Sequence, residues 1–264
     1  MSGERGTVRL AAVADVHCTK AAPGALAAAF TEAAAQADVL LLGGDLTDYG
    51  LPEEARVLTR ELSGVKIPVV AVLGNHDCES GKEAEVAAIL TEAGVKVLDG
   101  DAVEVHGIGI AGVKGFGGGF GRRMLEPWGE PAVKAFVHAA VDEALKLERA
   151  LARLRTPQRV ALLHYAPIEA TVEGEPREIF PFLGSSRLEE PLNRYRVTLA
   201  FHGHAHRGAP EGRTSTGIPV FNVAMPLLRR TLSETLPVRI LEIPAPEAVS
   251  IANEPPSRRR DDPS

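Results

Sequence analysis

Five short stretches of this 264-residue chain are apolar runs of strand length that stop at a cluster of Asp, Asn or His. Val8–Ala14 stops at Asp15-Val-His17, and the run that begins after Asp38 stops at Gly-Gly-Asp45-Leu-Thr-Asp48. Ile67–Leu73 stops at Gly-Asn75-His76-Asp77, Arg159–Leu163 at His164, and Val197–Phe201 at His202-Gly-His204-Ala-His206. Helical segments fall between the first three. Pro23 to Ala37 is Ala-rich with Pro at its start, Pro52–Leu62 has an acidic first turn, and Lys82–Ala93 is halted by Gly94. Alternating strands and helices predict βαβ units and a mainly parallel sheet. In open α/β sheets, ligand sites form at the carboxyl ends of strands. The five polar clusters are therefore expected to converge on one edge.

The middle of the chain changes character. Val95–Leu98, Ala102–His106 and Ile108–Val113 are close-set strands separated by Gly and Asp turns, which predicts hairpins. Gly115–Gly121 holds five glycines and is followed by Arg122, Arg123 and Trp128. It reads either as backbone approaching a substrate, with those side chains adding charge and stacking, or as a mobile surface connection. Pro131–Arg155 is a long amphipathic helix, and Pro219–Val223 and Val238–Ile243 close the fold as strands. With no internal repeat or interior linker, residues 1–243 read as a single domain. Residues 244–264, Pro-rich, charged and aperiodic, read as a flexible tail.

Composition narrows the function classes. Hydrophobic residues make up 45% of the chain and aromatics only 5%, which favours helices packed on a sheet over an aromatic-rich sandwich. A formal net charge of −6 leaves no broad basic surface for duplex nucleic acid. The one dense basic run, Arg258-Arg259-Arg260, is followed directly by two aspartates and reads as solvated tail. Cys18 and Cys78 are too few for a disulfide framework or a thiolate metal site, and read as small half-buried side chains. No apolar run approaches the roughly 18 residues a membrane helix needs, and Leu10–Ala14 is too short for a signal core. A cytoplasmic, reducing location is the expectation.

The clustered residue types specify a chemistry. Carboxylates, imidazoles and a side-chain amide without thiolate suit borderline ions such as Mn, Fe and Zn. There are enough ligands for two ions. Two metals about 3.5–4 Å apart can clamp a phosphoryl oxygen, a common arrangement in phosphate-ester hydrolysis.

Asp-x-His, Gly-Asp-x-x-Asp, Gly-Asn-His-Asp, a lone His and Gly-His-x-His, in that order, resemble the calcineurin-like metallophosphoesterases from about Val8 to Val223. The resemblance implies an α/β fold, a four-layer αββα sandwich of two facing mixed β-sheets, with the hairpins in the second sheet. It implies that Asp15, His17 and His206 hold one metal, that Asn75, His164 and His204 hold the other, and that Asp45 bridges them. A bridging hydroxide would then attack phosphorus. His76 resembles the outer-sphere histidine that meets the phosphate or the departing oxygen, with Asp77 as its orienting partner and Asp48 supporting a ligand. His106 and His138 read as structural or exposed, and His202 as facing the core. Arg207 is balanced between reaching a phosphate and a surface role.

The family's protein Ser/Thr phosphatases carry Arg-Gly after the second motif and Glu at the end of the third. Here Tyr49-Gly50 and Asp77 stand at those places. The resemblance therefore points to a phosphodiesterase acting on small diesters or cyclic nucleotides. A phosphomonoesterase or nucleotide pyrophosphatase with the same metals is the alternative. A non-catalytic scaffold is disfavoured, because every motif position is intact.

Overall fold

The computed structural model describes residues 6–21, 24, 26–232 and 236–245. Its first half alternates as the sequence predicts: β1 (Thr7–Val13), α1 (Ala27–Gln36), β2 (Val39–Gly43), α2 (Pro52–Glu61), β3 (Val69–Val72), α3 (Glu83–Glu92) and β4 (Lys96–Val97). Then come β5 (Asp101–Val105), β6 (Ile108–Val113), α4 (Pro131–Arg153), β7 (Gln158–Leu163), α5 (Phe180–Leu183) and α6 (Glu189–Arg194). β8 (Leu199–His202), β9 (Glu211–Arg213), β10 (Pro219–Asn222), α7 (Met225–Thr231) and β11 (Arg239–Pro244) complete the order.

The strands form two sheets, ordered β11-β1-β2-β3-β4 and β5-β6-β7-β8-β10-β9. β1 to β4 run parallel, and β11 lies antiparallel on β1. In the second sheet β6, β7, β8 and β10 are parallel, while β5 and β9 are antiparallel edges. Both sheets are therefore mixed, and β2 and β3 lie against β6 and β7. Side-chain alternation along the second sheet builds two cores at once. Ile108, Ile110, Val160, Leu162 and Phe201 face the first sheet. Ala111, Val113, Ala161 and Leu163 face Leu147, Ala150 and Leu151 of α4 and Leu192 of α6.

Helix starts follow local chemistry. The Glu54 carboxylate accepts the N–H groups of Tyr49 and Leu51, closing the first turn of α2. Glu61, at the other end of α2, accepts the N–H groups of Leu26 and Ala27 at 2.9 Å and so caps α1. Pro23, the expected start of α1, lies outside the described residues, and the helix begins at Ala27.

Two expectations change. Val95–Leu98 is not part of a hairpin: Lys96–Val97 pairs in parallel with β3 in the first sheet. The chain crosses sheets at Asp99–Gly100, where Gly100 has φ +80°, so only β5 and β6 make the hairpin. Pro244, expected to open the tail, is instead the last residue of β11. Pro244 pairs with Thr7, and the Ala245 N–H reaches the Gly6 carbonyl; residues 246–264 lie outside the described set. Among the described residues no helix is long and apolar enough to cross a membrane.

Candidate metal centre

Parallel strands place their carboxyl ends on one edge, and there the polar clusters meet. Donor atoms from Asp15, His17 and His206 lie within 4.8 Å of one another, as do those of Asp45, His164 and His204. A third group, His17, Asp45 and His76, shares members with both and joins them. Asn75 adds its Oδ1 at 2.9 Å from His164 Nε2. All seven residues expected to hold metal are thus brought to one cleft, with Asp45 between the two sets.

The backbone is bent to bring them there. Asp15, His17, Asp45 and His204 have φ of +56°, +42°, +48° and +68°, the left-handed region that non-glycine residues avoid. The glycines of the motifs serve close approach. A Cβ on Gly74 would collide with the Asp45 carboxylate, and one on Gly203 with that of Asp15. Glycine is required at both places so that one loop can lie on the next.

Two of the imidazoles, His164 and His204, are oriented by backbone carbonyls. His164 is fully buried and its Nδ1 donates to the Gly43 carbonyl at 2.9 Å. Its Nε2 lone pair then faces Asn75 Oδ1 at 2.9 Å and Asp45 Oδ1 at 3.3 Å. Three acceptors aimed at one point repel one another unless a cation lies among them. His204 Nε2 donates to the Phe182 carbonyl at 3.2 Å, leaving Nδ1 as its donor atom toward the cluster. His17 has both ring nitrogens buried without a hydrogen bond. Asp48 Oδ1 approaches its Nδ1 at 3.2 Å, off the angle a hydrogen bond requires. Orphaned nitrogens and converging acceptors fit metal ions as the missing partners.

Electrostatics agree. Burial opposes the charge on Asp15, but the His206 hydrogen bond, the pull of the neighbouring His164 and His206 rings and the His204 N–H outweigh it and hold its carboxyl at about 2. The same Asp15 bond, 3.0 Å long, raises His206 against burial. Burial pushes His204 down to about 3, so it stays neutral and able to ligate.

Around these seven, some expected partnerships differ. His76 donates its backbone N–H to Asp45 Oδ1, and its ring Nδ1 is held by the Asp48 carbonyl at 2.7 Å. Asp77 is not the partner of that ring. Its buried carboxylate accepts from Leu46 N, Thr47 N, Thr47 Oγ1 and Gly74 N, because the 3₁₀ turn at 76–78 turns the two side chains apart. Asp77 ties the Asp45 loop to the Asn75 loop. Burial still pushes its carboxyl pKa up, against the pull of those four bonds.

His202 is buried between Thr171 Oγ1 and the Gly203 carbonyl, with burial lowering it to about 4; His106 and His138 are exposed. The Arg207 N–H binds Glu175 at the surface. Gly115–Gly121 fits neither reading offered for it. The N–H groups of Gly118 and Gly119 bond to the carbonyls of Pro181 and Gly184, and a Cβ on Gly117 would meet Pro181 O at 2.5 Å. The loop is a packed seam behind the segment that carries Phe182, and Arg122, Arg123 and Trp128 are exposed beyond it. The Phe182 and Gly43 carbonyls were invisible in the sequence, since every residue carries a carbonyl.

The sequence profile of the calcineurin-like phosphoesterases matches residues 8–208. No curated protein sequence matches the chain. Among solved structures, the phosphopantetheinyl hydrolase of Mycobacterium tuberculosis superposes with a TM-score of 0.62 at 16% identity, covering 89% of this chain and 96% of that one. A protein of Thermus thermophilus gives 0.54 at 14% identity, covering 91% and 100%. A putative 5′-nucleotidase from Staphylococcus aureus gives 0.51 at 17% identity, covering 82% of this chain and 48% of its own. At such identities the likeness carries the fold and not the substrate. The profile match, spanning most of the chain in the motif order described, places this protein in the calcineurin-like phosphoesterase family of metal-dependent phosphoester hydrolases.

Proposed function

We propose that the protein hydrolyses small phosphodiesters, with two metal ions held by the seven clustered residues. The observation that carries the diester reading is Tyr49. It follows Asp48 at the rim of the cleft, exposed, with its N–H bonded to Glu54. Among the described residues the aspartates of the cleft, Asp15, Asp45 and Asp48, pair only with histidines and with no Arg or Lys. A phosphodiester carries one negative charge and a monoester close to two at neutral pH. With Tyr49 where the family's protein phosphatases carry a phosphate-gripping Arg, the site suits the singly charged diester.

Asp15, His17 and His206 would hold one ion, Asn75, His164 and His204 the other, with Asp45 shared. The oxygen and nitrogen donors suit Mn, Fe or Zn. Ions bound there supply positive charge for phosphoryl oxygens and acidify water. The chain's own groups do the rest. The Gly43 and Phe182 carbonyls fix the tautomers of His164 and His204. Asp48 serves twice, with its carboxylate beside His17 and its carbonyl holding His76 Nδ1. His76 Nε2 is left clear of that carbonyl, and in the imidazolium form it would donate a hydrogen bond to the phosphate or a proton to the departing oxygen. Cys18 and Cys78 stand as free thiols, in keeping with a reducing cytoplasmic setting.

The test compares kcat/KM on bis(p-nitrophenyl) phosphate and p-nitrophenyl phosphate for metal-reconstituted enzyme. The diester should win, and chelator should abolish both activities. A clear preference for the monoester would replace this reading with a phosphomonoesterase.

A further inference from the structure

A cavity lies beside the metal clusters. The clusters lie where the ends of β1, β2 and β3 face those of β7 and β8. One step further along both sheets, the ends of β3 and β4 face that of β6. A half-open cavity of about 380 Å³ lies there, within the size range of small-molecule sites. Its apolar wall is Leu73, Ala87, Val97 and Leu98. Cys78, two residues after His76, lines it too, so the turn that carries Asn75 and His76 separates cavity from clusters.

Two lysines line this cavity together with the carboxylates of Glu83, Asp99 and Glu143, and the lysines differ. Lys146 is neutralised by Glu143 at 2.8 Å and Asp99 at 2.9 Å. Lys114 has no carboxylate within ion-pair distance among the described residues. Its Nζ lies 5.2 Å from the Phe116 ring, 5.4 Å from the Tyr165 ring and 3.3 Å from the Gly115 carbonyl. The Tyr165 ring in turn lies 4.5 Å from that of His204 and 5.5 Å from that of His164. The Lys114 carbonyl accepts the N–H groups of His164 and Tyr165. Among the described residues, Lys114 is thus a cation without an ion-pair partner, a ring's width from the metal cluster and beside an apolar wall.

We propose that this cavity is a subsite for the second ester arm of the substrate, an arm with an apolar body and an anionic end that meets Lys114. The proposal rests on the diester reading above and adds which diesters are preferred. An apolar arm alone would satisfy the wall and leave the lysine unanswered, whereas a second anionic group answers both.

The test uses p-nitrophenyl phosphodiesters whose second arm is methyl, phenyl or 4-carboxyphenyl, with rates corrected for uncatalysed hydrolysis. In the reconstituted wild type, kcat/KM should rise along that series, with about tenfold between methyl and phenyl for filling the apolar wall. Ala87→Phe, which narrows the cavity, should remove the phenyl-over-methyl ratio. Lys114→Met should cut the carboxyphenyl-over-phenyl ratio about tenfold, the order expected for a bond to a charged group. Metal content and melting temperature of both variants establish that they are folded and loaded, and the wild-type series stands without them. Diesters hydrolysed at similar corrected rates whatever the arm would overturn the subsite while leaving the diester reading intact. No hydrolysis of any diester beside active monoester turnover would overturn the diester reading, and the subsite with it.

Discussion

Both clusters are built around a buried aspartate and two histidines, yet they are held in different ways. At Asp45, Asn75, His164 and His204, both imidazoles are locked by backbone carbonyls, and His164 is wholly enclosed. At Asp15, His17 and His206, His17 has no hydrogen bond to its ring and His206 keeps 39% of its side chain in solvent. One cluster is positioned before any ion arrives. The other leaves more of its positioning to the ion itself. Preorganised ligands lose less entropy on binding, so the His164 cluster should retain its ion longer under chelation.

Four experiments break or sharpen that contrast. The largest effect is expected for His164→Ala, which removes an enclosed ligand and leaves Asp45 and Asn75 facing each other. Turnover should fall by more than the roughly 10–100-fold that losing a mere outer partner costs, with metal content dropping by one ion. His17→Ala should show the same stoichiometry by elemental analysis but lose its ion at lower chelator concentrations. If both variants release metal alike, the contrast is wrong.

His76→Ala comes next. It should keep both ions and lose about 10²–10⁴-fold in kcat, the usual worth of an acid–base group. Poor leaving groups should suffer more than nitrophenolate. Loss of metal in this variant would move His76 into the ligand set, as its grouping with His17 and Asp45 permits.

Asp48→Asn tests the looser cluster directly. Among the described residues its carboxylate approaches His17 Nδ1 and no member of the other cluster, so one of two binding affinities should weaken, by about 10–100-fold. Equal weakening of both, measured by titration of apoprotein, would show that the clusters are not separable.

The smallest effect is a slope. His202 lies behind the clusters with its pKa lowered to about 4 by burial. Between its ordinary 6.5 and about 4, the unfolded chain binds a proton that the folded protein refuses, so stability falls as pH drops through that window. In metal-free protein, His202→Gln should reduce the slope of unfolding free energy against pH by at most about 1.4 kcal/mol per unit. Urea titrations at several pH values would measure it, and an unchanged slope would mean that His202 is protonated in the fold.

Sequence reasoning found residues that the structure brings together because apolar runs of strand length carry their own stop signals, and Asp15, Asp45, Asn75 and His164 stand at those stops. It failed where contacts are made by backbone or by short elements. Residues 165–198 hold only two 3₁₀ turns and the brief α5 and α6, too short for any period to show. Yet this stretch supplies the carbonyl that sets His204. Asp77 was misjudged for a related reason: adjacency to His76 suggested contact, whereas a tight turn aims neighbouring side chains apart. The sheet of β4 was misassigned because a two-residue strand says nothing about which side of a crossover it belongs to.

The left-handed backbone at His17 has a consequence for anyone selecting variants of this protein. At φ +42° an L-residue carries a conformational penalty of about 1–3 kcal/mol, and this ring returns no hydrogen bond for it. Glycine would relax the backbone at that position. A library screened for heat resistance in chelator would therefore drift from histidine to glycine there and lose the cleft's function on the way. Folding alone gives no reason for a histidine at residue 17; the chemistry of the cleft does.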